Sequence, residues 1–595
     1  MKHLAQFFPF ERYPSMTDNQ EAAFNFLDSN QNGGIIEAPT GTGKTSIGYT
    51  WLSSFKGTRF YLVPNKTLVQ QVVAMFPDTK PMYGRNEHSC LYYKDRDLRA
   101  DEVPCSLLRN CPHRVLESGE TYSPGSTPCP YLKQKYEAGL GGGIIVATYA
   151  FYFYSVFLLR QFTPTAVVVD EAHSIARSIR ATLEFRITDR KLVSIIKTLK
   201  SVKAKQAGLM EKFLSEMKLV VKKRSPGKRT SDSILSYDEI ERLLKCLNSM
   251  DIKEIRNDIN NAVRKSIISP VDDFEMLKQL DVITRELYRY VKSLGFSLPP
   301  KQEKSKKRLN PLAFTYAFWT RKKEGDGSVC CELIVKDHFV AGLIKAMLPA
   351  NCLACSATIV DPKMLSFETG IEGKFLSLGS GFDNEKTAVL MPTDTPNLAV
   401  KERNKKDVTK AIRLMVRSAK DLAHENKRSV ILVVSELERQ KVLKFATEEG
   451  LTVVSNNEKE SARQAISRFV QGEGMCLVGT VANYGQGIDL PDGMAPVIFY
   501  FRPAYPNPND PQTVFEENRY GNARWGIWNW RVMIDLLQVR GRNVRSVSDK
   551  GVTILVSQQF RRFARTALPE WLRPAYVNDK NFAECLSEAK RIIDS

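Results

Sequence analysis

Ile35-Ile36-Glu37-Ala38-Pro39-Thr40-Gly41-Thr42-Gly43-Lys44-Thr45 is the stretch on which the fold turns. Two β-branched apolar residues lead into a loop with two glycines, and the loop runs into Lys-Thr at the start of a helical pattern. This is strand, phosphate-binding loop, helix, in the form GxxxxGK[ST] with Ala38 in the first glycine's place. Glycines let backbone N–H groups turn toward phosphate oxygens at a helix N-terminus, where the peptide dipoles add positive potential. Thr40, Gly41, Thr42 and Gly43 are therefore expected to cradle a nucleotide, with Lys44 reaching its β- and γ-phosphates and Thr45 holding Mg²⁺. Taken alone, the loop implies nucleoside triphosphate binding and leaves its use open, since kinases and transporters carry it too.

Downstream, Val167-Val168-Val169 ends in Asp170-Glu171-Ala172-His173. A buried strand that delivers two adjacent carboxylates meets the needs of phosphoanhydride hydrolysis. Asp170 is expected to orient Mg²⁺, directly or through water, and Glu171 to polarise the attacking water as general base. His173 is placed to link this site to a second domain. An acidic pair after a strand is ordinarily a solvated strand end; the upstream loop is what gives this pair its chemistry. Between the two motifs, Phe60-Tyr61-Leu62-Val63 and Ile144-Ile145-Val146 are short continuous apolar runs, as parallel strands buried on both faces require. A second α/β pattern has strands expected at Val430 to Val434, Met475 to Val478, Val497 to Phe501 and Val552 to Val556. The fold class is α/β.

The bulk figures narrow the class further. With 595 residues, 43% hydrophobic and 26% charged, the chain can build its own cores and needs no disulfide scaffold. Eleven cysteines in so long a chain read as core residues or metal ligands in a reducing compartment, so a cytoplasmic protein (nuclear in a eukaryote) is expected. Met1 to Phe10 lacks the apolar run of a signal peptide. Ala138 to Leu159 is uncharged and long enough to span a bilayer. Gly141-Gly142-Gly143 divides it, however, and leaves a buried strand over Ile144–Val146 and a buried helix over Tyr149–Leu159, so no membrane partner is expected. The net charge of +20 favours a polyanionic partner, though a membrane surface would attract it equally.

Two stretches interrupt the alternation. Gly84 to Gly143 is rich in Pro, Gly, Cys and charge and reads as an insertion. Within it Cys90, Cys105, Cys111 and Cys129, with His88 and His113 nearby, are candidate metal ligands, and four thiolates suit either a [4Fe–4S] cluster or tetrahedral zinc. From about Ile179 to Gly295 the pattern is helical, with Leu192, Ile195, Ile196 and Leu199 on one face and Ile240, Leu243, Leu244 and Leu247 on another. The basic segments Lys222 to Arg229 and Pro299 to Arg308 read as exposed loops, solvated or touching nucleic acid. Strands are expected at Phe314 to Trp319 and Val329 to Val335 around a turn at Asp326-Gly327. Cys352 and Cys355 have metal-ligand spacing, but their apolar neighbours favour buried strand cysteines. Trp525, Trp528 and Trp530, interleaved with Arg524 and Arg531, are either core or a base-stacking surface; Tyr83 and Arg85 are further candidate contacts.

Taken in order, these strings resemble the superfamily 2 helicases of the iron–sulfur XPD/DinG family. Ser356-Ala357-Thr358 matches the family's third motif, whose Ser/Thr pair couples nucleotide state to DNA grip in relatives. Gly479-Thr480 and Gly485-Gln486-Gly487-Ile488-Asp489-Leu490-Pro491 resemble the fifth, which implies Gly487 beside the nucleotide and Asp489 between the domains. Pro508-Asn509-Asp510-Pro511 is similar to a segment that follows it. Gln538-Val539-Arg540-Gly541-Arg542-Asn543-Val544-Arg545 matches QxxGRxxR, implying Gln538 at the nucleotide and Arg542 and Arg545 as arginine fingers. Arg12 and Gln20 resemble the adenine-side motif, and Val63-Pro64-Asn65-Lys66-Thr67-Leu68 the first DNA-contacting one. The four cysteines occupy the slot of the family's iron–sulfur domain, with a wider Cys105–Cys111 gap than in many relatives.

The resemblance implies two RecA-like motor domains. The first is made of 1–82, 143–178 and 312–375 and the second of 376–595, with a Cys-rich insertion at 83–142 and a mainly helical, Arch-like insertion at 179–311. It further implies a monomeric motor that uses ATP and Mg²⁺ to move 5′→3′ on single-stranded DNA and to unwind forked duplexes. Protein partners would reach it through the Arch-like insertion. The alternative is a single-strand translocase or protein-displacing motor with weak unwinding, including a mobile-element or CRISPR-associated DinG-like protein. A DinG-type nuclease is disfavoured, because little chain precedes Ile35.

Overall fold

The computed structural model describes residues 4–103, 105, 110–140, 142–222, 234–267, 315–323, 329–379, 383, 385–399, 404–457, 460–484, 490, 493–542, 544, 549–561 and 567–595. Gly487, Asp489, Arg545, the turn at Asp326-Gly327, the segment Pro299–Arg308 and all of Lys222–Arg229 but Lys222 itself lie outside the described residues.

Two seven-stranded sheets, parallel throughout their described pairings, organise the chain. The first has the spatial order Phe375–Ser377, Gly33–Glu37, Cys352–Ser356, Ala166–Asp170, Thr58–Val63, Gly143–Thr148, Lys80–Met82. Its strands are apolar on both faces, so neighbouring residues of one strand enter different cores. Ile35, Phe60, Leu62, Val167 and Val169 pack on one side, and Ile36, Tyr61, Val63, Val168 and Leu353 on the other. Each fully buried Val, Ile or Leu contributes roughly 1.5–3 kcal/mol, which makes these runs the backbone of the domain's stability. The second sheet has the order Val453–Val454, Cys476–Thr480, Ser429–Val433, Val497–Tyr500, Gly551–Leu555, Thr387–Leu390, Tyr576–Val577. Both have the build of a RecA-like motor domain, as expected.

Register places the motifs. Glu37 pairs with Ser356, and Asp170 with Cys355 on the same central strand. The phosphate loop, the acidic motif and the third motif therefore leave the sheet together at its carboxyl edge, where open α/β sheets bind ligands.

The uncharged stretch resolves into a strand, Gly143–Thr148, then a turn of helix at Tyr149–Phe151 that widens into a π-helix over Tyr152–Leu158. No described helix is long and apolar enough to cross a membrane. The helical insertion contains Asp189–Ser201, Ala207–Lys222, Tyr237–Asn248 and Ile252–Arg264, whose apolar faces form one core. Thr315–Lys323 and Val329–Asp337 pair antiparallel, as the turn signal suggested. This hairpin does not join the motor sheet. It pairs with Phe185–Thr188, and its Ala317, Leu333 and Val335 enter the insertion's core.

Candidate nucleotide site and the motor junction

Gly41 and Gly43 adopt φ of +83° and +79°, where an L side chain is strained. Gly43 is closely approached as well, since a Cβ there would overlap the Gln20 amide. It caps the helix Lys44–Ser53 without a side-chain acceptor, so the helix's first N–H groups are donors suited to an anion. Gln20 is buried against the loop. Its Nε2 donates to Ser46 Oγ (2.8 Å) and its Oε1 accepts from Thr17 N (2.9 Å), closing a capping box on Asp18–Asp28.

The Lys44 ammonium bridges both carboxylates, at 2.9 Å from Asp170 Oδ1 and in contact with Glu171 Oε1. Burial alone would lower its pKa; Asp170 and Glu171 outweigh burial and hold it well above the usual lysine range. Burial raises Glu171 too, but the Lys44 charge and hydrogen bonds win and take its carboxyl down to about 2. Asp170 goes the other way, its burial and the Glu171 charge prevailing over Lys44. Tyr61 Oη donates to Asp170 Oδ2 (3.1 Å), and Tyr149 Oη donates to the Asp170 carbonyl. Glu171 itself sits at φ +55°, an uncommon conformation of the kind that gathers at functional sites.

From Glu171 a polar chain crosses to the second domain. Ser356 Oγ donates to Glu171 Oε2 (3.3 Å), and His173 Nδ1 lies 2.8 Å from Ser356 Oγ and 3.1 Å from Thr358 Oγ1. Gln538 Nε2 donates to Thr358 Oγ1 (3.2 Å), and Arg542 Nη2 donates to Gln538 Oε1 (3.0 Å). Burial keeps His173 neutral, with its pKa lowered to about 4. Burial also lowers Arg542, which Glu171 partly offsets. A separate link runs from Thr40 Oγ1 to the Val544 carbonyl (3.4 Å). The structure thus joins Lys44, Asp170, Glu171, His173, Gln538 and Arg542 in one cleft.

Glu37 was missed by sequence reasoning. It is 2% exposed, and its Oε1 accepts from Ile359 N (3.0 Å) and Val360 N (2.7 Å). Its Oε2 accepts from Ser377 Oγ (2.9 Å) and Trp571 Nε1 (3.4 Å). A charged residue with low β propensity, ending an apolar strand just before the loop, was the available signal. A buried ladder was also missed: Arg180 to Glu368 (2.8 Å), Glu368 to Arg531 (3.1 Å) and Arg531 to Glu516 (2.8 Å), uniting the two motors.

The tryptophans divide. Trp528 donates to Glu516 Oε2 (2.6 Å) and Trp530 to the Ile359 carbonyl (2.8 Å), so both are buried and unavailable for stacking on bases. Trp525 is 45% exposed, with Arg524 stacked over its ring at 5.2 Å. Arg85 is committed elsewhere, donating to the Ala100 and Val103 carbonyls and to Cys105 Sγ (3.1 Å). Asn65 caps Lys66–Met75, and Asp510 caps Pro511–Tyr520. Cys352 and Cys355 lie on a core strand with thiols pushed up by burial, Cys352 to about 12.

Cys90, Cys105, Cys111 and Cys129 occupy a small lobe in which, among the described residues, the strand pairing is two isolated bridges, Ser89–Arg99 and Val115–Thr121, and the buried core is Tyr93 and Val103. Burial pushes the Cys105 thiol up, and Arg85 opposes the rise. Among the described residues no three His, Cys, Asp or Glu side chains converge on one ion's position. His113 Nδ1 is paired with the Thr127 carbonyl (2.7 Å), whereas His88 Nε2 is buried with no hydrogen-bond partner among the described residues.

Comparison with known proteins agrees with this layout. Residues 14–203 match a family model described as the res subunit of type III restriction enzymes, and residues 420–575 one described as a helicase C-terminal domain. A probable ATP-dependent helicase of Methanocaldococcus jannaschii is 21% identical, covering 88% of each chain. A solved XPD helicase superposes with a TM-score of 0.62 at 15% identity, over 96% of this chain and 98% of that one. A second, of XPD in its apo form, gives 0.58 at 12% identity, over 94% and 99%. At such identities the superpositions speak for the fold.

Proposed function

We propose that this chain is a superfamily 2 ATP-dependent helicase of XPD/DinG-like type, as its similarities support, and that it moves 5′→3′ along single-stranded DNA and unwinds duplex ahead of it. The observation that carries the reading is the polar chain from Glu171 through Ser356, Thr358 and Gln538 to Arg542. It ties the hydrolytic carboxylate of one motor to an arginine of the other, which is what converts hydrolysis into relative motion.

Lys44 would meet the β- and γ-phosphates, while Thr45 and Asp170 would hold the Mg²⁺ that neutralises their charge. Glu171, which contacts Lys44 and accepts from Ser356 Oγ in the cleft, is assigned to polarise the attacking water as general base. Arg542 stabilises the charge that develops on the γ-phosphate, held by Gln538 at its guanidinium. Arg545 is assigned the same role by its motif alone. Gln20, beside the loop, is assigned to the adenine side.

The net charge of +20 supports a nucleic-acid track, and the exposed Trp525 ring, with the half-buried Arg524 over it, is suited to an unpaired base. Four cysteines gathered in one small lobe, with Arg85 donating to Cys105 Sγ, support the assignment of Cys90, Cys105, Cys111 and Cys129 to a [4Fe–4S] cluster, with zinc as the competing occupant. When bound, the centre supplies the cross-link that holds this lobe rigid beside the motor. The test is ATP-dependent unwinding of matched duplexes with a 5′ or a 3′ single-stranded tail. Unwinding from the 5′ tail alone is expected. Unwinding from the 3′ tail alone overturns the polarity, and ATP turnover without unwinding moves the protein to the translocase reading.

A further inference from the structure

Immediately after the third motif the chain passes through a conformation that its residue type resists. Val360 has φ +62°. For a β-branched side chain this is a genuine outlier, and it persists only where its surroundings enforce it. The surroundings come from both motors. From the first motor, the Glu37 carboxylate receives the N–H groups of Ile359 and Val360 at 3.0 and 2.7 Å. From the second, the Trp530 indole donates to the Ile359 carbonyl at 2.8 Å, and the Trp571 indole reaches Glu37 itself at 3.4 Å. Glu37 is the last residue of the phosphate-loop strand, Trp530 lies two turns before Gln538 on the helix Arg524–Arg540, and Thr358 lies two residues before Val360.

We infer that Glu37, Trp530 and Val360 form a positioning bracket that transmits closure of the second motor to the third motif and so sets the rate of ATP turnover. The geometry favours a coupling role over a binding one. None of the three is on the phosphate loop, and each hydrogen bond ends on residues 359–360 or on a group that holds them. A bracket of this kind acts when Arg542 is drawn into the cleft, a state that turnover requires and nucleotide binding does not. It therefore predicts a split between the two quantities. The inference rests on the ATP-driven motor reading above but not on the identity of the nucleic acid.

The test uses the full chain with three variants, Glu37→Gln, Trp530→Phe and Val360→Gly, each measured for nucleotide affinity and for ATP turnover with and without single-stranded DNA. Trp530→Phe keeps the ring and removes the N–H. Glu37→Gln keeps the shape but places an amide N–H₂ where Trp571 and Ser377 donate. Both are expected to lower maximal turnover about five- to tenfold, with affinity within about twofold of the parent. Val360→Gly accepts the left-handed conformation unaided, so combining it with Glu37→Gln is expected to restore about half or more of the lost turnover. Turnover within about twofold of the parent in both single variants overturns the bracket. So does an equal loss of affinity and turnover, or a double variant that regains thermal stability without regaining turnover. Trp530→Phe carries the test alone if Glu37→Gln fails to fold. Failure of the DNA reading is a separate result, seen as an unmodified protein whose turnover single-stranded DNA does not raise.

Discussion

Around the nucleotide cleft, Glu37, Asp170 and Ser356 each end a strand whose apolar residues are buried on both faces. Around Cys90, Cys105, Cys111 and Cys129, the chain makes two isolated bridges over a core of Tyr93 and Val103. The cleft inherits its geometry from a sheet that stands without any ligand, so a substitution there changes chemistry before it changes fold. The lobe has no such frame. A segment with so few buried apolar groups among its described residues is the kind that a metal or a cross-link stabilises, which is the property the proposed cluster would supply.

The largest expected effect separates the two regions from the cleft side. Lys44→Ala should lower ATP turnover on the order of a thousandfold while leaving the lobe's metal content unchanged. Steady-state kinetics and elemental analysis on the same preparation check this, and normal turnover would remove Lys44 from the chemistry. The complementary change is Cys111→Ser. It should release the metal, open the lobe to limited proteolysis and abolish unwinding, with DNA-independent turnover kept within about twofold, as expected for distant sites. If turnover collapsed too, the two regions would share one cooperative unit. Iron against zinc content, with visible absorption, identifies the occupant.

The smallest effect is a pH dependence confined to the motor junction. His338 is 1% exposed and lies 3.6 Å from Glu516. Burial, aided by Arg180 and Arg531, outweighs the pull of Glu516 and Glu368 and lowers its pKa to about 3. Between that value and the ordinary one near 6.5, the unfolded chain binds a proton that the folded chain refuses. The stability tied to this group is complete above about pH 6.5 and falls as the pH drops, by up to ~1.4 kcal/mol per unit. The His338 share is read as the difference between parent and His338→Gln in the change of denaturant midpoint from pH 7 to pH 5, because His173, lowered to about 4, adds to the loss and Asp535, pushed up by burial to about 7, opposes it. An unchanged slope in the variant would assign the titration to another group.

The sheets, and the side chains that meet in the cleft, were legible because each is local in sequence. An apolar run shows a buried strand, and Gly-x-Gly-Lys-Thr shows a loop that must approach phosphate. What escaped was decided by neighbours far along the chain. Nothing near Glu37 reveals that its carboxylate meets Ile359 and Val360, because that depends on Cys352–Ser356 lying beside Gly33–Glu37. Tyr61 reads as one more apolar strand residue until Ala166–Asp170 is its neighbour and Asp170 its acceptor. Trp528 and Trp530 are the same residue type as Trp525 on the same helix, and only the motor junction makes two of them structural. The hairpin Thr315–Lys323 and Val329–Asp337 was legible as a hairpin, but its allegiance to the insertion was not, since Phe185–Thr188 claims its edge.

The strand Cys352–Ser356 also bears on the order in which the protein can be made. It is the sole described link between Gly33–Glu37 and Ala166–Asp170 in the sheet. Until a ribosome has passed residue 356, the phosphate-loop strand has neither of its lateral partners, because Phe375–Ser377 comes later still. Cys129, the last of the four lobe cysteines, emerges more than two hundred residues earlier, as the difference between 129 and 356 shows. Domains emerge and fold from the N-terminus onward during synthesis. The four cysteines are therefore synthesised and exposed on a nascent chain that has no working cleft.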